Sequence, residues 1–142
     1  EILAKIVSDS ICMSSYKAAS QGTNHKRIPN DVADNPIIIG HEFCGEIVEV
    51  GGSWVDQFRA GDKFSIQPAI NYADGPVGIL SAPGYSYKYI GGDSQYVIIP
   101  AEVMEQDCLL PFNGDAHGVH AENQQACVVW IGFAQICGGV AP

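Results

Sequence analysis

Short runs of β-branched and aliphatic residues, each closed by Gly, Pro, Asn or Asp, recur along the chain: Ile2 to Val7, Ile37 to Ile39, Glu46 to Val50, Lys63 to Ile66 and Tyr96 to Ile99. Branched side chains fit a pleated surface and the flanking residues favour turns, so each run predicts a strand. Glu46-Ile47-Val48-Glu49-Val50 alternates only imperfectly before Gly51-Gly52, which predicts a half-buried strand entering a tight turn, and Gly61-Asp62-Lys63 opens the next strand. Helical patterning is weak and occurs twice, from Ser14 to Ser20 with a serine cap and from Ala121 to Ala134. Residues 67–94 follow neither period. Their mixture of Pro, Gly, Tyr and Asp predicts a long surface excursion, a lobe packed by its own tyrosines. The pattern as a whole predicts a mainly β domain, barrel or sandwich, with short helices.

A length of 142 residues suits one ordinary domain. Hydrophobic residues make up 46% and charged residues 16%, with 16 Gly and 8 Pro, a composition that excludes both charge-driven disorder and a coiled coil. Seven Lys and Arg against 16 Asp and Glu give a net charge of −9. That charge repels phosphate backbones and anionic lipid heads, so neither nucleic acid nor a membrane surface is an expected partner. No stretch approaches the roughly 20 apolar residues of a bilayer span, and the amino end lacks a basic region followed by an apolar one. The cysteines at 12, 44, 108, 127 and 137 are odd in number and have no short repeated spacing. They read as reduced thiols of a cytoplasmic protein rather than as a disulfide framework or a four-thiolate zinc knuckle. The chain begins with Glu1 and enters its first strand at once, and it is expected to be a fragment or to have lost a short amino end.

The most informative stretch is Gly40-His41-Glu42-Phe43-Cys44-Gly45-Glu46-Ile47-Val48-Glu49-Val50-Gly51. It sets a histidine beside a glutamate just before a strand, with glycines on both flanks. Imidazole nitrogen is a good zinc ligand, and the adjoining carboxylate can support it from behind or ligate in its place. Taken alone, such a pair also fits an ordinary hydrogen-bonded buried pair.

The spacing Gly-His-Glu, two residues, Gly, five residues, Gly resembles the zinc signature of the medium-chain dehydrogenases, with Trp54 departing from the small or aliphatic residue usual three positions later. Ile11-Cys12-Met13-Ser14 resembles that family's first zinc ligand followed by a hydroxyl residue, and Cys12 precedes His41 by 29 residues. The resemblance implies a zinc-dependent NAD(P) alcohol, polyol or sugar-phosphate dehydrogenase. In that reading Cys12 binds as thiolate and His41 as neutral imidazole, and one further protein ligand leaves an open position for the alcohol oxygen. Ser14 is implied as the group that accepts the hydroxyl proton, with Glu42 as its catalytic companion beside His41. Without the signature, Cys12 would read as a small buried hydrophobe and Ser14 as a helix cap.

The third ligand stays open. In the sorbitol-dehydrogenase-like branch it is a glutamate within an Ala-Glu-Pro segment, and Ala121-Glu122-Asn123 offers Glu122, 81 residues after His41 and without the proline. Glu122 equally suits the start of the Ala121 to Ala134 helix, and His117 and His120 lie near enough in sequence to substitute. Residues 65–107 contain no cysteine, so the family's structural zinc is expected to be absent, with aromatics packing the lobe instead. Gly91-Gly92-Asp93-Ser94-Gln95-Tyr96-Val97 resembles a further family stretch.

The resemblance implies a GroES-like (chaperonin-10-like) irregular β-barrel with short helices, occupying residues 1–142, in which the part from about residue 113 onward is an inter-domain helix or an atypical tail. The family's cofactor-binding Rossmann domain is not represented. The tail Val128 to Gly139 replaces the second and third fingerprint glycines with Ala134 and Cys137. Two readings follow. The first is the catalytic-domain portion of a two-domain enzyme acting on a small alcohol or polyol, inactive by itself. The second is a free-standing metal- or partner-binding module, which an apolar surface or the Tyr96 to Ile99 edge would suit as a homodimer. Lys17, Lys26 and Arg27 flank the loop after Cys12 and leave room for a phosphorylated sugar, although solvated surface cations would look the same.

Overall fold

The computed structural model describes residues 1–10, 13–67, 70–75 and 77–111. Cys12, His117, His120, Glu122 and the helix expected from Ala121 to Ala134 lie outside the described residues. Within them the strands are β1 (Ile2–Asp9), β2 (Phe43–Val50), β3 (Lys63–Ile66), β4 (Tyr96–Ile99) and β5 (Leu109–Pro111), with helices α1 (Met13–Gln21) and α2 (Ala101–Glu105). The architecture is mainly β, one antiparallel sheet in the order β4-β1-β2-β3-β5. Among the described residues no helix is long and apolar enough to cross a membrane.

Period-two alternation is clean in the short strands. Phe64 and Ile66 of β3 and Val97 and Ile99 of β4 point inward, whereas Tyr96 and Ile98 face out. The long β1–β2 pair breaks the period twice. Register shifts between Leu3 and Ala4 and between Ile6 and Ser8 leave Val48 and Val7 without direct partners, and both valines are exposed. A bulged residue leaves the pleat and resets which side chains face inward. Ala4 and Ile47 can therefore be buried on one side of the irregularities and Phe43 on the other. This is the physical reason for the imperfect alternation after Glu46.

The core joins this inner face to the lobe. Phe43 and Phe64 meet edge to face at 6.2 Å, and Ile2, Ile47, Ile66, Val97, Ile99 and Val103 surround them. Tyr72, Tyr85 and Tyr89 are buried, so the segment between β3 and β4 is packed by tyrosines, as its composition predicts. The expected strand at Ile37 to Ile39 differs. That segment belongs to no strand and is held by single bonds from Gly91 N–H to the Ile38 carbonyl at 2.9 Å and from Asp93 N–H to the Ile39 carbonyl at 3.1 Å. These bonds dock the returning lobe beside His41.

Candidate functional site

His41 sits in the turn into β2, and the strand pairing brings this turn against the end of β1, where Asp9 is opposite Phe43. Asp9 organises the junction. Its Oδ1 accepts the backbone N–H of Ser10 at 2.7 Å and of Glu42 at 3.3 Å. The Ser10 hydroxyl in turn donates to Glu42 Oε2, and the Ser10 N–H donates to the Glu42 carbonyl at 3.2 Å. Asp9 Oδ2 makes no hydrogen bond among the described residues and is wedged against Gly40 and Gly92. A Cβ on Gly40, whose φ is +106°, would stand 2.0 Å from that oxygen, and one on Gly92 would stand 2.4 Å from it. No side chain fits either position without dismantling the junction.

Glu42 is 2% exposed, and its Oε1 lies 3.9 Å from His41 Nε2. It is buried away from solvent close to the imidazole. The imidazole is itself 6% exposed. Ser14, in the first turn of α1, places its Oγ 3.5 Å from His41 Nε2. The Tyr85 hydroxyl reaches in from the lobe to 3.3 Å from Nδ1 and 3.5 Å from Nε2, with the two rings tilted by 52° at 4.9 Å.

Burial works against charge at the centre. Burial holds the His41 imidazolium below its ordinary range, against the opposing pull of the Glu42 and Asp9 charges and with the help of Arg27. Burial also raises Asp9 to about 6, reinforced by the Asp93 charge and opposed by its backbone hydrogen bonds and His41. A neutral buried imidazole has the protonation state a metal ligand requires.

Of the residues expected from sequence, His41, Glu42 and Ser14 come together. Cys12 and Glu122 fall outside the described residues, and among those described no group of three His, Cys, Asp or Glu is placed to hold a metal ion. The residues present nevertheless fit one side of a zinc site. His41 supplies a neutral nitrogen donor, and α1, which begins one residue after Cys12, is drawn against it through Ser14. Sequence reasoning missed Asp9 and Tyr85. Asp9 closes a strand three residues before Cys12, which marks it for the same neighbourhood only once β1 and β2 are paired. Tyr85 belongs by composition with the lobe's packing tyrosines, and no linear signal separates it from Tyr87 or Tyr89.

The Tyr85 ring also carries a basic group. Arg27 carries its guanidinium carbon 4.7 Å from the Tyr85 ring centroid, and His25 stacks on the same ring at 6.0 Å with planes 9° apart. Arg27 Nε donates to the Val77 carbonyl at 2.8 Å, and the Arg27 N–H donates to His25 Nδ1 at 3.2 Å.

A family model described as the alcohol dehydrogenase GroES-like domain matches residues 1–111. The L-sorbose 1-phosphate reductase of Klebsiella pneumoniae is 53% identical over 115 residues, covering 81% of this chain and 27% of that protein. The mannitol-1-phosphate 5-dehydrogenase of Aliivibrio fischeri is 46% identical over 114 residues, covering 80% of this chain and 26% of its own length. The chain thus spans about a quarter of the length of these relatives. Among solved structures, the D-arabinose dehydrogenase from Sulfolobus solfataricus superposes with a TM-score of 0.55 at 24% identity, covering 80% of this chain and 34% of that one, a likeness of fold.

Proposed function

We propose that this chain, which belongs to the alcohol dehydrogenase GroES-like domain family, is the metal- and substrate-binding portion of a zinc-dependent NAD(P) oxidoreductase of polyols or sugar phosphates. The observation that carries the reading is the His41 centre, a buried imidazole kept neutral, backed by Glu42 and Asp9 and faced by Ser14 and Tyr85. Relatives named for sugar-phosphate substrates agree with it.

Each residue has a task in this reading. His41, together with Cys12 and Glu122, holds one zinc, and bound zinc supplies Lewis-acid polarisation of the substrate oxygen. Glu42 and Asp9 fix the turn that presents the imidazole. Ser14 Oγ accepts the hydroxyl proton of the alcohol and passes it on to solvent along the exposed side of α1. Tyr85 steadies the imidazole from the lobe side through its hydroxyl. Hydride transfer to a nicotinamide belongs to a dinucleotide-binding domain, because a parallel βαβ unit normally holds the pyrophosphate and the described strands are all antiparallel.

Metal analysis of the chain and of its Cys12→Ser, His41→Ala and Glu122→Ala variants tests the assignment. One zinc per chain is expected, with occupancy lost in each variant and no measurable NAD(P) binding by the chain. Full zinc retention in His41→Ala would sink the reading, and full retention in Glu122→Ala would remove that residue from the ligand set.

A further inference from the structure

The geometry points to a binding site for a phosphomonoester at the basic group formed by Lys17, His25, Lys26 and Arg27, one aromatic ring away from His41. The inference rests on the oxidoreductase reading, and it assigns to these residues the selection of a phosphorylated over an unphosphorylated sugar.

The first support is charge placement. The chain holds 16 acidic residues against seven Lys and Arg, and three of those seven gather here with one of its four histidines. None of the four forms an ion pair among the described residues, where the pairs found are His41 with Glu42 and Lys88 with Glu1. His25 feels the charges of Arg27, Lys26 and Lys17 together, and no carboxylate contributes to its field. Asp31, the next carboxylate along the chain, is already engaged by the Tyr87 hydroxyl and the Asn35 amide. Gathering unneutralised cations in a strongly acidic chain costs repulsion, which a bound dianion relieves.

The second support is preorganisation. Arg27 is half-buried and tethered by its Nε to the Val77 carbonyl, while Tyr85 supports the face of the guanidinium. The tether uses the Nε–H and leaves the Nη donors, which can grip two phosphate oxygens side by side. His25 Nδ1 accepts the Arg27 N–H, so the neutral ring carries its proton on Nε2 as a further donor. A solvated surface cation has no such tether. Lys17 and Lys26 are exposed and add long-range attraction around this fixed pair.

The third support is position. Tyr85 touches His41 with its hydroxyl and supports Arg27 and His25 with its ring. The guanidinium therefore lies from the imidazole by no more than the Arg27–Tyr85 and Tyr85–His41 spacings laid end to end. That reach is of the order of an extended hexitol phosphate, so a substrate anchored here by its phosphate can present a hydroxyl-bearing carbon at the His41 centre.

The test titrates the 142-residue chain separately with inorganic phosphate, glucitol 6-phosphate, glucitol and NADP. The Arg27 Nε–H and His25 ring resonances are followed by NMR and affinities by calorimetry. Phosphate and glucitol 6-phosphate should shift both sets of resonances, and glucitol should leave them in place. Arg27→Gln should weaken glucitol 6-phosphate by about ten- to a hundredfold while zinc content stays unchanged. Lys17→Gln, at an exposed position, should weaken it less and make binding less salt-dependent. The proposal is overturned if glucitol shifts the same resonances as its phosphate, if Arg27→Gln binds the phosphate as the parent does, or if NADP alone moves these residues, which would give the site to the cofactor. Loss of zinc in His41→Ala with phosphate binding intact supports the phosphate site, whereas failure of the oxidoreductase reading would show as a chain that takes up no zinc.

Discussion

Replacing Asp9 by asparagine isolates the cost of the carboxylate behind His41. In the folded chain burial raises this group from 3.8 to about 6. Below pH 3.8 the carboxyl is neutral in both states and imposes no penalty. As pH rises the unfolded chain ionises first, so the penalty grows between 3.8 and 6 and is constant above. The full penalty is about 3 kcal/mol, and a little under half of it, about 1.3 kcal/mol, accrues between pH 5 and 7. The amide keeps an oxygen for the Ser10 and Glu42 N–H groups, and any fixed difference in packing cancels when only the pH dependence is compared. Urea unfolding of both chains in chelator at pH 5, 6 and 7 measures it, and the difference profile removes the general repulsion of a chain with net charge −9. Asp9→Asn should gain about 1 kcal/mol on the parent across that range. Parallel profiles, or a difference that shrinks with pH, would refute the placement of an unneutralised carboxyl at this junction.

Two further substitutions probe the scaffold. Phe43→Ala removes a fully buried ring packed edge-on against Phe64 and should cost about 3–5 kcal/mol in denaturant unfolding. Gly92→Ala sets a methyl group 2.4 Å from Asp9 Oδ2 and 2.6 Å from Phe43 Cβ; it should cost about 1–3 kcal/mol of stability and lower zinc retention at His41 in parallel, read by thermal unfolding and metal analysis.

The strands were legible where one face is buried and the period is two. β3 and β4 match their runs residue for residue, and β1 and β2 differ only by extension at the turn into the site. Elements without such a face were not. α2 has five residues and β5 three, too few to display a period, and β5 exists because β3 offers it an edge. The histidine and its glutamate were legible because they are neighbours in a fixed spacing. Asp9 reaches the turn that carries the imidazole, and Tyr85 the imidazole itself, from 32 and 44 residues away, through a strand pairing and a docked lobe, and neither route leaves a local trace.

At this junction burial works against charge on two titratable groups. Glu42 and Asp9 behind His41 favour the imidazolium, which would be useless as a metal donor, and burial has to outweigh them. The same burial acts in the opposite direction on Asp9, raising it, so that one of the two carboxylates opposing a neutral imidazole, the weaker after Glu42, is itself partly discharged as pH falls toward 6. Both shifts depend on close packing, which Gly40 and Gly92 permit by letting the backbone approach Asp9. The glycine before His41 lies within the Gly-His-Glu spacing, and its role here is to permit that approach: burial of the imidazole, against the pull of Glu42 and Asp9, is what favours its neutral form.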